Sequence, residues 1–251
     1  SFSYAPISTS PIIALIFEQE NSFYTRMQKE AEAIAADAGY EVKTYYSASD
    51  AQQITDIYSA LGEGALAIAL VPRNMDNLQE ALDGCLLQDV PVINLMVPVN
   101  GKVNTLVCPD YQLMGAKGAQ AARDAVGQEA AVRVLMLESV EGTFVTQLTH
   151  DGFVSEVPNL GDIEIAYTSL IRPNQDAAYA ETKKQLQYDT EINAVFSMDE
   201  SFAQGVLEAV RESGRDIRIV SVGGSSEIMK LVDAGSIYAS VFISPVELAQ
   251  V

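Results

Sequence analysis

The side chains best suited to ligand chemistry follow the predicted β-strands of this chain. In the amino-terminal half they are a carboxylate, two amides, two aromatic rings, a guanidinium and a thioether, at Glu18, Asn21, Phe23, Tyr24, Arg73, Asn74 and Met96. Carboxylate, amide and guanidinium groups bind polar ligand atoms through directed hydrogen bonds, and the rings offer flat apolar faces. This combination indicates a site for a small molecule with polar and apolar parts.

Two further carboxylates, Asp110 and Asp199, follow strands in the same way. With Glu18 they outnumber the guanidinium of Arg73, which indicates a ligand with an amine or several hydroxyl donors and an apolar part beside Met96. Burying an unpaired charge costs several kcal/mol. Therefore either the ligand is cationic or some of these carboxylates face water. Asp110 has the alternative role of a helix N-cap.

Sequence motifs of enzymes are missing. No Gly-x-Gly-x-x-Gly follows the first strand, and the chain has neither a phosphate-binding loop nor a Gly-x-Ser-x-Gly nucleophile elbow. The pair Asp199-Glu200 has groups for acid–base work, but such pairs arise by chance in an acidic chain. We therefore expect a binding protein without catalytic residues, cofactor or metal ion.

The single histidine and the two cysteines give little indication of a metal or redox site. His150 lies within a predicted helix, and without a second histidine or clustered thiols a zinc site is not expected. We interpret His150 as solvated or helix-capping, with a ligand contact as the alternative. Cys85 and Cys108 are expected to be buried thiols that do not pair.

The chain is strongly acidic, with 34 acidic residues against 15 lysines and arginines and a formal net charge of −19. This charge argues against nucleic acids and anionic membranes as partners because like charges repel. The longest apolar runs are shorter than the ~20 residues of a membrane-spanning helix, so no direct membrane insertion is expected. Ser1–Ser10 is rich in serine and threonine, as is typical after removal of a leader or linker.

Apolar runs of strand length alternate with helical segments, which is the pattern of an α/β protein. Uninterrupted apolar runs are typical of parallel strands that helices cover on both faces. The predicted strands are Ile12–Phe17, Tyr40–Tyr46, Ala65–Val71, Val90–Val97, Asn104–Cys108, Val132–Leu137, Ile163–Thr168, Ala194–Ser197, Ile217–Val222 and Tyr238–Ile243. The predicted helices are Tyr24–Ala38, Ser49–Leu61, Asp76–Leu87, Asp110–Val126, Gly142–Val157, Gln175–Tyr188, Ser201–Ser213 and Ser225–Ala234. Ser49 with Gln52 has the spacing of a capping box.

The alternation restarts after Pro109, which indicates two domains. We assign Ser1–Pro109 with Ser244–Val251 to an N-terminal lobe and Asp110–Ile243 to a C-terminal lobe. Right-handed crossovers make each lobe a doubly wound, Rossmann-like parallel sheet, and such sheets bind ligands outside the carboxyl ends of their strands. Two facing lobes joined by a hinge would share one ligand site and close on it.

Four stretches resemble a known family in order and spacing over nearly the whole chain. They are Ile13-Ala-Leu-Ile-Phe with Asn21-Ser-Phe-Tyr and Ala36-Asp-Ala-Gly-Tyr; Ala69-Leu-Val-Pro; Val90-Pro-Val-Ile-Asn; and Ala194-Val-Phe-Ser-Met-Asp-Glu with Gln204-Gly-Val-Leu. The family is that of the type I periplasmic binding proteins of the ribose-binding and LacI-effector kind. The resemblance implies two α/β lobes, a ligand in the cleft between them and no catalysis.

The resemblance also implies roles for particular residues. Asn21, Phe23 and Tyr24 match residues that hydrogen-bond to the ligand ring and stack on it, although the two rings have the alternative role of packing the helix start. Asp110 matches a hinge-side polar residue, and Asp199 matches a cleft-facing asparagine or aspartate.

Departures from the family pattern concern the polar clamps. Family members that bind pentoses or hexoses have Asp-Arg where this chain has Met96-Val97. A family arginine aligns with Gln147 and an aspartate with Gly223, so the resemblance implies that these two residues are also ligand-binding positions. A family glutamine aligns with Ile243. A guanidinium fork and carboxylates hold sugar hydroxyls in a dry cleft, so their loss argues against an ordinary pentose.

The resemblance gives three functional hypotheses. The first is an extracytoplasmic solute-binding protein that feeds an ABC transporter; the others are the ligand-sensing domain of a signalling receptor and the cytoplasmic effector domain of a LacI-type regulator. The first two place the chain in the periplasm with a membrane transporter or receptor subunit as partner. Ser244-Pro245-Val246-Glu247 begins a helix, and because the family continues through a long helix and a last strand, we expect the chain to continue beyond residue 251.

Overall fold

A computed structural model of the chain describes residues 10–251. The serine- and threonine-rich lead predicted at Ser1–Ser10 lies outside the described residues except for Ser10. The chain divides into two compact units, which we call unit 1 (Ser1–Pro109 with Ser244–Val251) and unit 2 (Asp110–Ile243).

Unit 1 contains a five-stranded parallel sheet in the order β2-β1-β3-β4-β5. Its strands are β1 (Ile12–Phe17), β2 (Glu41–Tyr46), β3 (Ala67–Leu70), β4 (Val92–Leu95) and β5 (Thr105–Val107). Its helices are α1 (Ser22–Asp37), α2 (Asp50–Gly62), α3 (Gln79–Leu87) and, from the end of the chain, α9 (Pro245–Ala249). Each of these strands falls within a predicted strand.

Unit 2 repeats this architecture in the order β10-β9-β8-β6-β7, again with parallel pairing throughout. Its strands are β6 (Val132–Ser139), β7 (Ile163–Ile171), β8 (Ala194–Ser197), β9 (Arg218–Val222) and β10 (Ala239–Val241). Its α-helices are α4 (Tyr111–Val126), α5 (Thr143–Glu156), α6 (Gln175–Tyr188), α7 (Ala203–Ser213) and α8 (Ser226–Asp233). The two units confirm the predicted fold class.

Each sheet has a hydrophobic core on both faces, which explains why its strands are apolar at successive positions. In β1, Ala14 and Ile16 pack into one cluster, whereas Leu15 and Phe17 pack into another. In unit 2, Leu135 and Leu137 of β6 likewise face one cluster, and Val132, Val134 and Met136 face the other. The alternation follows from the two-residue period of a strand.

Glycines allow α4 and α5 to approach each other closely in unit 2. A β-carbon on Gly115 of α4 would lie 1.9 Å from the carbonyl oxygen of Thr149, and one on Gly152 of α5 would lie 1.9 Å from that of Gln112. Because both obstacles are backbone atoms, a side chain at either position would push the helices apart. This contact fixes the position of α5 and of its polar residues.

Some predicted boundaries and caps were wrong. Helix α3 begins at Gln79 and not at Asp76, because the amide nitrogen of Asp76 donates to the side chain of Asn74 in a turn. Ser49 caps α2, but Gln52 donates to Asp56 and does not complete a capping box. Glu200–Phe202 forms a separate 3₁₀ turn before α7. Within residues 10–251 no helix is long and apolar enough to cross a membrane.

Candidate ligand-binding site

The topology of each sheet identifies one position for a ligand. In unit 1 the chain goes from β1 to β2 on one side and then crosses to β3 on the other. In unit 2 it goes from β6 to β7 and then crosses to β8. Doubly wound sheets bind ligands outside the carboxyl ends of the two strands at such a switch point. These strands are β1 and β3 in unit 1, and β6 and β8 in unit 2.

Arg73 organises the switch point of unit 1. Its Nη1 donates to the carbonyl oxygens of Glu18 and, at 3.1 Å, Ser47, and its Nε lies 3.4 Å from Oδ1 of Asp50. Its backbone nitrogen donates to Oε1 of the buried Gln53 at 2.8 Å. The guanidinium therefore links the residues that follow β1 and β2 with the start of α2, and these contacts involve two of its three nitrogens.

The predicted aromatic pair has two different environments. Tyr24 is 4% exposed and stacks on Phe17 with ring centroids 4.7 Å apart, while its hydroxyl donates to Oε1 of Glu18 at 2.9 Å. Phe23 is half-buried, with its ring edge-on to that of Tyr24 at 5.3 Å. Asn21 caps α1 by accepting the Tyr24 amide hydrogen at 2.9 Å. The packing of the helix start is thus carried by Tyr24, and Phe23 has the more accessible ring.

Asn74 and Met96 also have defined positions in unit 1. The amide of Asn74 donates to Oδ2 of Asp50 at 3.0 Å. Met96 has a φ of 70°, in the left-handed region that methionine rarely adopts, and its backbone nitrogen donates to the carbonyl oxygen of Val107 at 2.9 Å. Such a conformation is costly and persists when the surrounding structure imposes it. Met96 is half-buried at the end of β4.

The expectation of two buried thiols was wrong for one of them. Cys85 is 1% exposed, and burial raises the pKa of its thiol to about 11. Cys108 is exposed just after β5. Neither cysteine forms a disulfide with a described residue.

Asp110 and Asp199 both cap helical turns in unit 2. Oδ1 of Asp110 accepts the amide hydrogen of Leu113 at 2.8 Å, which confirms its alternative role as the N-cap of α4. Oδ1 of Asp199 accepts hydrogen bonds from the amide and the hydroxyl of Ser201, at 2.9 and 2.6 Å. In each carboxylate one oxygen is held by the cap, so the direction of the side chain is set before any ligand binds.

Gly223 lies beneath the side chain of Glu200. Its φ is 114°, and a β-carbon there would lie 1.9 Å from Oε1 and 2.1 Å from Cγ of Glu200. The same Oε1 accepts the amide hydrogen of Ser225 at 3.1 Å. The carboxylate of Glu200 therefore occupies the space that a side chain at residue 223 would need.

Gln147 does not point toward β6, whereas His150 does. The side chain of Gln147 is exposed and donates to Oδ1 of Asp151 on the same helix at 2.8 Å. Nδ1 of His150 lies 2.5 Å from Oε1 of Glu138, the penultimate residue of β6. The expectation of a solvated or helix-capping His150 was therefore wrong, because the imidazole pairs with a buried carboxylate.

Sequence reasoning did not identify Glu138 as a site residue, and it did not predict the hydrogen bonds from the Arg73 guanidinium to backbone carbonyls. It also treated Glu200 only as part of a chance acidic pair. The sequence does contain a signal for Glu138. It is a charged residue at the next position on the face of β6 that carries the apolar Val132, Val134 and Met136. Its partner lies 12 residues away on a helix whose rotation the sequence does not reveal. Within residues 10–251, no three histidine, cysteine or acidic side chains are grouped so as to hold a metal ion.

Two doubly wound parallel sheets with polar side chains at their switch points define a protein that binds small molecules. A sequence model for the periplasmic binding protein domain matches residues 13–251, so the chain belongs to the periplasmic binding protein family. The proteins of this family bind solutes and are not enzymes. The predicted family and the predicted solute-binding role are confirmed.

Two curated proteins illustrate the relationship. The ribose import binding protein RbsB of Bacillus subtilis is 27% identical over 233 residues, which are 90% of this chain and 73% of the relative. The D-allose-binding periplasmic protein of Escherichia coli is 24% identical over 241 residues, which cover 91% of this chain and 77% of the relative.

Solved structures share the fold. A periplasmic solute binding protein of an ABC transporter from Actinobacillus succinogenes, with bound D-allose, has a TM-score of 0.84 at 20% identity and covers 96% of this chain and 88% of its own. The Caulobacter myo-inositol binding protein has a TM-score of 0.77 at 22% identity, with 99% and 86% covered.

Proposed function

We propose that the protein is an extracytoplasmic solute-binding protein that captures a small polar ligand and presents it to an ABC transporter. The observation that carries this proposal is the pair of switch points, each bordered by polar side chains on a sheet of the same topology. The family membership supports it, as do the named relatives, which are a ribose import binding protein and an allose-binding periplasmic protein. These names favour import over the sensor and regulator alternatives.

The ligand that fits best has several hydroxyl groups and an apolar face. Arg73 is engaged by backbone carbonyls and Gln147 by its own helix, so neither replaces a guanidinium fork. Asp199 and Glu200 instead provide acceptors for hydroxyl hydrogens, and Phe23 provides a ring face. An amine on the ligand would also suit this acidic set, which keeps an aminated polyol within the proposed class.

The proposed mechanism is closure of two lobes about a hinge where the chain crosses between the units. A ligand that contacts the strand ends of both units binds the closed state more tightly and so shifts the population toward it. The transporter would recognise the closed form. Because the relatives named above are import or periplasmic proteins, we place this activity in the periplasm or its equivalent outside the cytoplasmic membrane.

Native mass spectrometry of freshly purified protein tests the proposal directly. We expect a co-purified hydroxylated molecule of low mass that is released unchanged on unfolding. Titration with D-ribose, D-allose and myo-inositol, followed by calorimetry and thermal unfolding, identifies the ligand class. Chemical conversion of the bound molecule would contradict the proposal, as would the absence of any bound or binding polar solute.

A further inference from the structure

We propose that His150, held by Glu138, is a ligand-contacting residue at the switch point of unit 2. This inference rests on the proposed function and adds a specific group to it. Its ligand class is a hydroxylated solute, which hydrogen-bonds to Nε2 of the imidazole.

The position of Glu138 is the first argument. It precedes the last residue of β6, which is one of the two strands at the switch point. Its side chain is only 10% exposed and continues the face of β6 that otherwise carries apolar residues. A carboxylate placed there must have a hydrogen-bond partner, because an unpaired buried charge is strongly destabilising.

The hydrogen-bond partner of Glu138 is the imidazole of His150, which has a second ring nitrogen. A backbone amide could also satisfy a buried carboxylate, but its single N–H would leave nothing for a ligand. An imidazole that uses Nδ1 for Glu138 retains Nε2, on the opposite side of the ring. The His150 side chain is 29% exposed, so the ring is not enclosed. Among described residues no hydrogen bond to Nε2 is present.

The carboxylate sets the direction and the hydrogen-bonding state of the ring. Acceptance of the Nδ1 hydrogen by Glu138 fixes which nitrogen is presented outward, as carboxylate partners do for histidines in metal sites. Nε2 then accepts a hydrogen bond when the ring is neutral and donates one when it is charged. A hydroxyl group fits both states because it can donate and accept. Glu138 is thus a positioning residue, and His150 makes the contact.

Two other polar side chains of α5 near His150 are engaged within the helix. Gln147 is bonded to Asp151, and the hydroxyl of the buried Thr149 donates to the carbonyl oxygen of Val145 at 2.8 Å. The close contact between α4 and α5 prevents α5 from rotating to present a different face. His150 is therefore an α5 residue that brings a polar group to the end of β6.

Substitutions that mimic one ring nitrogen at a time separate a ligand contact from a structural role. His150→Asn places an amide near Nδ1 and can keep the bond to Glu138, but it lacks Nε2. His150→Gln reaches the position of Nε2. We expect His150→Asn to melt close to the wild type yet bind about tenfold more weakly, and His150→Gln to recover part of the loss. Glu138→Gln should bind within about threefold of the wild type, because an amide oxygen can still accept from Nδ1.

The experiment measures calorimetric affinities for D-ribose, D-allose and myo-inositol separately, with untagged protein. Because the chain has a single histidine, ¹⁵N labelling of histidine gives one pair of imidazole signals. We expect saturation with the bound solute to shift the Nε2 signal and to leave Nδ1 protonated. Gln128→Ala is the control. Gln128 lies just after the carboxyl end of α4 and donates to Asp124 in its last turn, so this variant should bind solute like the wild type.

The possible outcomes separate the two proposals. If one of these solutes binds the wild type and His150→Asn with equal affinity, and the Nε2 signal does not move, then the pair is structural and this inference is wrong while the proposed function stands. If none of the three solutes binds, the proposed ligand class is wrong and the inference falls with it.

Discussion

The two units share a topology but present different chemistry at their switch points. In unit 1 a guanidinium, Arg73, is engaged by backbone carbonyls and holds the residues after β1 and β2 in place. In unit 2 the corresponding edge has the carboxylates of Asp199 and Glu200 and the pair of Glu138 and His150. Two sheets of the same topology can therefore carry different side-chain chemistry at equivalent positions. At its switch point unit 1 has a guanidinium-linked frame beside the Phe23 ring, and unit 2 has two carboxylates and an imidazole.

Helix packing differs between the units as well. Unit 2 brings α4 against α5 through glycines whose β-carbons would meet backbone atoms, whereas Gly62 of α2 in unit 1 has no atom within 4 Å of a built β-carbon. Replacing glycine by alanine should therefore destabilise unit 2 at this contact but not unit 1 at Gly62.

The largest expected effect is that of Gly152→Ala. The added methyl group meets the backbone of α4, so we expect a loss of about 3 kcal/mol in the free energy of unfolding of unit 2. Gly62→Ala should be neutral or stabilise by about 0.5 kcal/mol, since alanine is the better helix former. Urea titration measures both. Cys85 belongs to unit 1, and its alkylation rate in Gly152→Ala should stay that of the wild type. A faster rate would show that the units do not unfold separately.

The next largest expected effect is a loss of stability when the hydrogen bonds of Arg73 in unit 1 are removed. Arg73→Met removes charge-assisted hydrogen bonds to the carbonyl oxygens of Glu18 and Ser47, and we expect a loss of about 2 kcal/mol in stability. Arg218→Met in unit 2 is the matched control, because its partner Asp216 is exposed. It should cost less than about 0.5 kcal/mol. Similar losses in both variants would show that Arg73 is an ordinary surface residue.

Phe23→Ala tests the aromatic face of unit 1. We expect affinity for the bound solute to fall about tenfold or more, while the melting temperature of the ligand-free protein changes little because the ring is only half-buried. Tyr58→Ala, which removes an exposed ring from α2, should leave affinity unchanged. Calorimetry and thermal unfolding in the absence of solute distinguish these effects. Unchanged affinity in Phe23→Ala would remove Phe23 from the site.

The smallest expected effect concerns the pH dependence of stability and the side chain of Asp189, which lies near the amino-terminal ends of β6 and β8. Partial burial raises the pKa of Asp189, but the Glu191 amide at 2.9 Å and the Arg133 guanidinium at 2.6 Å outweigh it and hold that pKa below its ordinary value. A lowered native pKa stabilises the fold above the unfolded-state value of 3.8, and this contribution is lost as the pH falls below it. Asp189→Asn should therefore reduce the slope of melting temperature against pH below about pH 4. If the slope is the same in Asp189→Asn and the wild type, Asp189 does not contribute to the acid sensitivity of the fold.

The fold followed from the sequence because parallel strands are covered on both faces and are therefore continuously apolar. The predicted ranges Ile12–Phe17, Gln175–Tyr188 and Ala194–Ser197 agree with β1, α6 and β8 to the residue. Strand ends were harder to predict. Ile163–Thr168 was expected, but β7 continues to Ile171 because its partner β6 continues to Ser139 and keeps the pairing going after a bulge.

The site was predictable only as far as local chemistry decides it. The capping role of Asp110 depends on residues within one helical turn, and the sequence indicates it as one alternative. The pairing of His150 with Glu138 and the reach of Arg73 to Glu18 depend on how separate elements pack. Periodicity gives the type of each element but not its rotation, so these contacts required coordinates.

Cys108 makes the chain readily convertible into a sensor. It is exposed at the end of β5, two residues before Asp110, where the chain passes from one unit to the other, whereas Cys85 is 1% exposed and resists ionisation. A thiol-reactive fluorophore would therefore attach at one defined place without further engineering. Its emission would respond to solvent polarity at the crossover, and under the proposed hinge closure it would report solute capture in real time.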